Sequence, residues 1–180
     1  QDHFYHGLKK IRTEEGNLFV DESGKEIRFE DIDDVDAFYN GFAIAAKKVN
    51  VPQNGRVKYA YGLIDVQGRK VLPLEFDEVI GGGNEASELL VFRKDELFGV
   101  FKRDGTVVLP PTFDHISYIR DTPFAIVIKA GKYGLADLAG DIRIEPRFDD
   151  ISPNSSGVER IWPLIAKEGE WYYFVGENGE

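Results

Sequence analysis

Residues 129–151 read KAGKYGLADLAGDIRIEPRFDDI, and this stretch contains the pattern on which the chain is built. A glycine-containing reversal leads into a strand-like segment, Tyr133 to Asp137, and the chain turns again at Gly140. Asp at the first and Gly at the fourth place of 137–140 predict a type I turn that closes a hairpin, with the glycine in the left-handed conformation. A third apolar segment then runs to Pro146 and is followed by an aromatic residue and an Asp.

The same pattern recurs along the chain, and internal repeats determine the fold class. Four turn glycines are each followed eight residues later by an aromatic or apolar residue and then an Asp; the pairs are Gly24 with Ile32, Gly68 with Phe76, Gly105 with Phe113, and Gly140 with Phe148. A partial fifth copy has its turn at Gly179. We therefore expect one repeat domain over 1–180, with units of approximately 1–35, 36–79, 80–116, 117–151 and 152–180.

The units have the composition of β-strands. Phe42–Lys47, Leu89–Arg93 and Phe124–Lys129 are rich in β-branched, aromatic and small apolar residues. A third strand in each unit is expected to stop at proline, which cannot donate to a ladder; these prolines are Pro73, Pro110, Pro111 and Pro146. Asn-Gly within Pro52-Gln53-Asn54-Gly55 predicts a longer first hairpin in the second unit.

These features predict an all-β protein of tandem antiparallel β-meander repeats, in which three-stranded units stack on one another. An open twisted array, or solenoid, is the first expectation, and a closed arrangement like a five-bladed β-propeller is the alternative.

The units resemble the WG-repeat family, also called KWG repeats, of bacterial proteins. The family pattern runs roughly Lys-x-Gly-Lys-Trp-Gly-Leu-Ile-Asp, two residues, Gly, an apolar strand ending in Pro, then Tyr/Phe-Asp-x-Ile. In the best-matching copies the family's Trp is replaced by Tyr61, Phe98 and Tyr133. Trp171 takes that role in the last copy, where Tyr172 follows it in place of Gly. The resemblance implies a β-repeat scaffold that interacts with other molecules, and it transfers no catalytic residue.

Composition excludes several classes of function. The net charge is −10, with Lys and Arg scattered, so nucleic acid and anionic membrane surfaces are poor partners. No apolar run is long enough for a membrane-spanning helix, so membrane insertion is not expected. The chain has no cysteine, which removes disulfides, thiolate nucleophiles and Cys-based metal sites. It also has no methionine; a cleaved signal peptide would explain this and slightly favours a periplasmic or secreted bacterial protein, and trimming of the chain is the alternative.

No pattern points to catalysis, a metal or a cofactor. His3, His6 and His115 lie near the terminus or at a variable repeat position. The acidic run 30–36 lacks the ligand spacing of a calcium loop and is expected to be a solvated strand edge. Gly81-Gly82-Gly83-Asn84 lacks the Lys-Ser/Thr of a phosphate loop and is expected to be a linker.

The aromatic residues offer the remaining candidates for binding. Tyr61, Phe98 and Tyr133 are expected to pack between units, because position-matched aromatics in repeats usually do so. The last copy is looser, and Trp171, Tyr172 and Tyr173 are the candidate ligand-binding residues. The leading hypothesis is a non-enzymatic interaction module for another protein, and the alternative is a carbohydrate or cell-wall-binding module acting through exposed aromatics.

Overall fold

The computed structural model describes residues 7–13, 16–49, 57–80, 88–119, 122–153 and 162–178. Every regular element in these ranges is a β-strand, which confirms the all-β prediction. No helix in these ranges has the length and apolar character needed to cross a membrane. His3, His6, the hairpin tip predicted at Pro52–Gly55, the linker predicted at Gly81–Asn84 and the turn glycine Gly179 lie outside the described residues.

Eighteen strands are found in the described part of the chain. They are β1 Leu8–Thr13, β2 Gly16–Asp21, β3 Glu26–Ile27, β4 Asp34–Val35, β5 Phe42–Val49, β6 Lys58–Asp65, β7 Lys70–Phe76, β8 Glu78–Ile80, β9 Leu89–Lys94, β10 Leu97–Lys102, β11 Val107–Phe113, β12 His115–Tyr118, β13 Phe124–Lys129, β14 Lys132–Asp137, β15 Ile142–Phe148, β16 Asp150–Pro153, β17 Leu164–Glu168 and β18 Trp171–Val175.

The strands form five antiparallel meander sheets, and none of them closes into a barrel within the described residues. Sheet 1 contains β1–β3, sheet 2 β4–β7, sheet 3 β8–β11, sheet 4 β12–β15 and sheet 5 β16–β18. The chain divides into two compact units, Gln1–Asp95 with Val100–Val107, and Glu96–Gly99 with Val108–Glu180. Sheets 1 and 2 belong to the first unit, and sheets 4 and 5 belong to the second.

Sheets and sequence repeats are offset by one strand. The short segment after each aromatic residue, such as Asp150–Pro153, is the first strand of the next sheet and pairs with β17. Sheets 2, 3 and 4 consequently have four strands, whereas the sequence units have three. Neighbouring repeats are thus joined by backbone hydrogen bonds as well as by side-chain packing.

The prediction that the third strand stops at proline is wrong. Pro73 and Pro146 lie inside β7 and β15, which continue to Phe76 and Phe148. In sheet 4, Tyr133 pairs with Phe148 and Leu135 with Ile144, so β15 has a bulge around Pro146. Proline is tolerated there because a bulge already interrupts the ladder of hydrogen bonds.

The first hairpin of sheet 2 is longer than its counterparts, as the Asn-Gly signal predicted. β5 and β6 have eight residues each and pair as far as Val49 and Lys58, whereas β13 and β14 have six.

The buried core follows one rule wherever sheets stack within a compact unit. Each sheet has an aromatic face, which in sheet 4 carries Tyr133 and Leu135, and a small face, which carries Gly134 and Ala136. In sheet 4 the aromatic face is covered by the small face of sheet 5, from which Leu164, Ala166 and Val175 project. Sheet 1 is covered by sheet 2, and sheet 2 by strands of sheet 3, in the same manner. In each of these stacked pairs, the following sheet therefore covers the aromatic face of the sheet before it.

Candidate interaction surface

The acidic residues at the hairpin turns have structural partners. The Asp137 carboxylate is buried and accepts backbone N–H groups of Ala139, Gly140 and Asp141 at 2.9–3.0 Å, while Arg143 Nε donates to its other oxygen at 2.7 Å. Burial raises the pKa of Asp137, but the hydrogen bonds from Asp141 and Arg143 outweigh it and hold the pKa below the ordinary 3.8. The carboxylate therefore stays ionised and holds the turn together.

Asp65 repeats this arrangement in the first compact unit. Its carboxylate accepts the N–H groups of Gln67 and Arg69 at 2.9 Å and the Arg69 Nε at 2.6 Å. Burial raises its pKa and the bonds from Arg69 and Gln67 lower it, with a net decrease.

The Asp after each aromatic residue also has a structural role, because its carboxylate binds the hairpin of the next sheet. Asp149 Oδ2 accepts the Gly169 N–H at 2.6 Å, and its Oδ1 lies 2.5 Å from Lys132 Nζ. Asp114 accepts the Gly131 N–H at 3.1 Å in the same way. The hydrogen bonds from Lys132 and Gly169 lower the pKa of Asp149. The repeated Asp is thus explained by backbone capping.

The acidic run 30–36 forms ion pairs and hydrogen bonds with neighbouring lysines. Asp31 lies 3.6 Å from Lys47, and Asp34 lies 3.2 Å from Lys10. Asp33 Oδ2 accepts the Lys48 N–H at 2.7 Å. Within the described residues, no group of three or more His, Asp or Glu side chains is arranged to hold a metal ion.

An open depression of about 540 Å³ in the second compact unit is lined by Phe124, Trp162, Arg143 and residues near them. Arg143 is bound to Asp137, and the Trp162 ring packs edge-on against Phe124 at 5.5 Å. His115 packs against the Phe98 ring at 5.9 Å. Arg143, which lines the depression, is therefore held by a structural partner.

The repeated aromatics Tyr61, Phe98 and Tyr133 are half-buried, in agreement with the packing expected of them. Tyr61 packs against the core between sheets 2 and 3, and Tyr133 against the core between sheets 4 and 5.

The last copy is different, because β18 exposes all four of its aromatic rings. Trp171 is 74% exposed, Tyr172 64%, Tyr173 41% and Phe174 72%. Trp171 and Tyr173 lie on the small face of sheet 5, where the Tyr173 ring contacts Phe148 at 5.5 Å. Tyr172 and Phe174 lie on the other face of the sheet, the aromatic face, where they pair with Lys167 and Ile165 of β17. The structure thus places the three candidate residues on two faces, and adds Phe174.

The hairpin register corrects the alignment of this copy. Tyr172 pairs with Lys167 as Tyr133 pairs with Ile128, so Tyr172, and not Trp171, occupies the family's aromatic position. Tyr173 therefore stands in the place of Gly134. The spacing agrees, because Gly179 lies six residues after Tyr173, as Gly140 lies six after Gly134. This six-residue spacing was the signal in the sequence that could have fixed the alignment.

The glycine that Tyr173 replaces has a steric function. A Cβ at Gly134 would lie 2.5 Å from the Ile144 carbonyl oxygen and 2.8 Å from Pro146 N, and one at Gly62 would lie 2.6 Å from the Leu72 oxygen. Only glycine lets β14 approach the bulged, proline-containing strand beside it. A tyrosine at this place is incompatible with such a neighbour.

The aromatic face of sheet 5 exposes two large aromatic side chains, Tyr172 and Phe174. Its counterparts Leu63 and Leu135 are fully buried beneath the next sheet, whereas Phe174 is exposed. The Lys167 Nζ lies 5.9 Å from the centre of the Tyr172 ring, and that side chain is still 64% exposed. We call Ile165, Lys167, Tyr172 and Phe174 the terminal face.

Comparison with known families identifies the repeat. A family model described as WG containing repeat matches residues 61–97, 98–133 and 133–161, and these matches begin at the half-buried aromatics Tyr61, Phe98 and Tyr133. No curated protein matches the sequence significantly. The three matches cover more than half of the chain and agree with the sheets described above, so the chain belongs to the WG-repeat family.

Proposed function

We propose that this chain is a non-enzymatic interaction module, and that the terminal face on sheet 5 is its contact surface for another protein. The single observation that supports this most strongly is the exposure of Tyr172 and Phe174 on a face whose counterparts in sheets 1, 2 and 4 are covered by the following sheet. Exposed apolar patches on soluble proteins mark interaction sites.

The packing between sheets within the chain supports a proposal for the chemistry of the partner. Within the chain, the aromatic face of sheet 4 is covered by the small apolar side chains Leu164, Ala166 and Val175. The terminal face should therefore accept a protein surface of small apolar residues, with an acidic group near Lys167. Aromatic side chains such as tyrosine and phenylalanine bury large areas in such interfaces.

The non-enzymatic part of the proposal is supported by the roles of the acidic residues. The buried carboxylates Asp65 and Asp137 and the capping carboxylates Asp114 and Asp149 each bind backbone N–H groups. A general base or nucleophile needs a free lone pair directed at a substrate, and these groups use theirs to hold turns. Turnover in a hydrolase screen would contradict this part of the proposal.

A capture experiment with matched variants tests the contact surface. The immobilised chain is offered extract of its source, beside the double variant Tyr172→Ser/Phe174→Ser and the control Val107→Ser, which removes an exposed apolar side chain outside sheet 5. We expect a stoichiometric protein partner whose retention falls at least about tenfold in the double variant and is unchanged in the control. Equal retention by all three proteins would reject the terminal face as the contact surface.

Glycan binding is the second candidate, and a different residue favours it. Trp171 is the most exposed of the four rings, at 74%, and lies on the same face as Tyr173. Exposed indole rings are stacking platforms for sugars. Polysaccharide and peptidoglycan fractions, offered separately, should then be retained by the wild type and by Tyr172→Ser/Phe174→Ser, and lost by Trp171→Ala.

A further inference from the structure

Among the described strands, one edge of β18 has no partner strand. The sheet has the order β16-β17-β18, so within the described residues β18 is hydrogen-bonded to β17 alone. Its sequence is Trp-Tyr-Tyr-Phe-Val, without charge or proline. Natural proteins usually protect edge strands with charges, prolines or bulges, because an unprotected edge pairs with another strand. The edge of β18 has none of these protections.

The replacement of glycine by Tyr173 determines which kind of strand this edge can accept. In sheet 4 the corresponding edge holds β15, whose bulge at Pro146 fits only because Gly134 has no side chain. A bulged strand of that type cannot approach Tyr173. A regular antiparallel strand can, because in a regular ladder the side chains stand out of the plane of the sheet.

The outward-facing backbone groups of β18 follow from the hairpin. Glu168 and Trp171 flank the two-residue turn Gly169-Glu170 and form a hydrogen-bonded pair. Bonding then alternates along the strand, so the N–H and C=O groups of Tyr172 and Phe174 point away from β17. Sheet 4 shows the same alternation, since the outward N–H of Asp137 donates to the Asp141 carbonyl at 2.9 Å.

We propose that the open edge of β18 pairs antiparallel with β18 of a second copy of this chain. The two-fold axis passes between the two Tyr173 residues, and Tyr172 lies opposite Phe174 of the second copy, in two hydrogen-bonded pairs. Trp171 then lies opposite Val175 of the second copy. An antiparallel strand pair is self-complementary, as a two-fold interface must be, and aromatic cross-strand pairs stabilise such sheets.

The area available matches a reversible dimer. At their observed exposures the four rings present roughly 400–600 Å² per copy, taking about 150–250 Å² for each fully buried aromatic side chain. Strand pairing covers only the sides of these rings, so the dimer buries less than the roughly 800–1,200 Å² that two copies expose, an area typical of weak, transient association. The pairing also joins two terminal faces into one wider platform. The inference rests on the proposed function, since β18 is the contact element in both.

Sedimentation equilibrium of the purified chain, alone, tests the pairing over a range of concentrations. We expect reversible association that stops at two copies. Phe174→Pro removes one outward N–H and leaves the bonds to β17, a change that edge strands tolerate; it should weaken the dimer at least about tenfold, whereas Phe174→Leu, which keeps the N–H, should weaken it less. A wild type that remains monomeric, or a dimer that is unaffected by Phe174→Pro, overturns the proposal.

Crosslinking tests the register without depending on proline. The chain has no cysteine, so a single introduced cysteine can form only an intermolecular disulfide. At the two-fold axis the Cα atoms of a non-hydrogen-bonded pair lie about 4.5 Å apart, within disulfide reach. Tyr173→Cys should therefore oxidise to a covalent dimer faster than Trp171→Cys, although Trp171 is the more exposed side chain. Faster crosslinking of Trp171→Cys indicates random collision and overturns the register.

The two proposals fail separately. Self-association is measured on the purified chain, and partner capture is measured in extract with Tyr172→Ser/Phe174→Ser. A monomeric chain that still captures its partner through the terminal face overturns the second-copy pairing and leaves the proposed function standing. The opposite result is also informative. If the chain dimerises and Tyr173→Cys crosslinks, but Tyr172→Ser/Phe174→Ser still captures the partner, the pairing is supported and the proposed contact surface is rejected.

Discussion

At the residue scale, the recurring acids and glycines are best understood as parts of turns. Asp137 binds three consecutive N–H groups, and Asp149 binds the turn of the next hairpin. Each such carboxylate replaces water around backbone groups that have no partner in a ladder. Repetition of an acidic residue in this chain is therefore evidence of repeated geometry.

The ionised state of Asp137 should make stability depend on pH. Its pKa is lower in the folded protein than the value of about 3.9 expected in the unfolded chain. The stabilisation is thus fully present above pH about 4 and is lost as the pH falls through the folded-state pKa. Asp137→Asn should lower the free energy of unfolding at neutral pH by about 1–3 kcal/mol, because it removes a charged hydrogen-bond acceptor.

Urea denaturation of both proteins, from neutral pH to about pH 2.5, measures this effect. The difference in unfolding free energy between wild type and Asp137→Asn should shrink below about pH 4. A difference that stays constant, or that grows as the pH falls, would show that the carboxylate charge is not what stabilises the turn.

At the element scale, the sequence predicted strands well and their partners less well. Phe124–Lys129 forms β13 as its composition indicated, since β-branched and aromatic residues suit a pleated, buried surface. The prediction that a strand ends at Pro146 was wrong. Proline removes one hydrogen bond from the ladder, but a strand that bulges at that point can continue past it. The assignment of Trp171 to the family's aromatic position was wrong, because it relied on the identity of the residue and not on its spacing to the turn glycine. The exposure of the terminal face depends on sheet stacking, which one copy of the repeat cannot reveal.

The bulge at Pro146 makes Gly134 intolerant of any side chain. A Cβ there would meet backbone atoms of Ile144 and Pro146 at 2.5 and 2.8 Å, and backbone cannot rotate away as a side chain can. Gly134→Ala should therefore lower the free energy of unfolding by about 1–3 kcal/mol, the usual cost of overpacking. The control is Gly131→Asn: nothing lies within 4 Å of a Cβ at Gly131, and asparagine tolerates its positive φ of 70°.

Chemical denaturation of the two variants and the wild type decides the question. Gly131→Asn should differ from the wild type by less than about 0.5 kcal/mol. If Gly134→Ala changes the free energy of unfolding equally little, β15 packs less closely against β14 than the structure shows. Tyr173 would then not prevent a bulged strand from pairing with β18.

At the scale of the whole molecule, an apolar contact surface is combined with a net charge of −10. A repeat of this kind buries the aromatic face of a sheet against its neighbour, and we therefore propose the terminal face, which is exposed in the described structure, as the site of association. The charge opposes that association between identical copies, because two molecules with the same net charge repel each other. Apolar attraction and electrostatic repulsion therefore act on the same dimer, and their contributions can be distinguished by changing the salt concentration.

Salt should strengthen pairing between copies. Three acidic residues, Glu168, Glu170 and Glu177, lie close to β18 in sequence, and Lys167 is the nearest base. Between about 0.01 M and about 1 M salt the Debye length falls from about 30 Å to about 3 Å, which screens their repulsion and leaves strand pairing intact. The dissociation constant measured by sedimentation should fall by about threefold or more, and the double variant Glu170→Gln/Glu177→Gln should show a smaller change. A dimer that instead dissociates in salt would be held by ion pairs, which the register centred on Tyr173 does not contain.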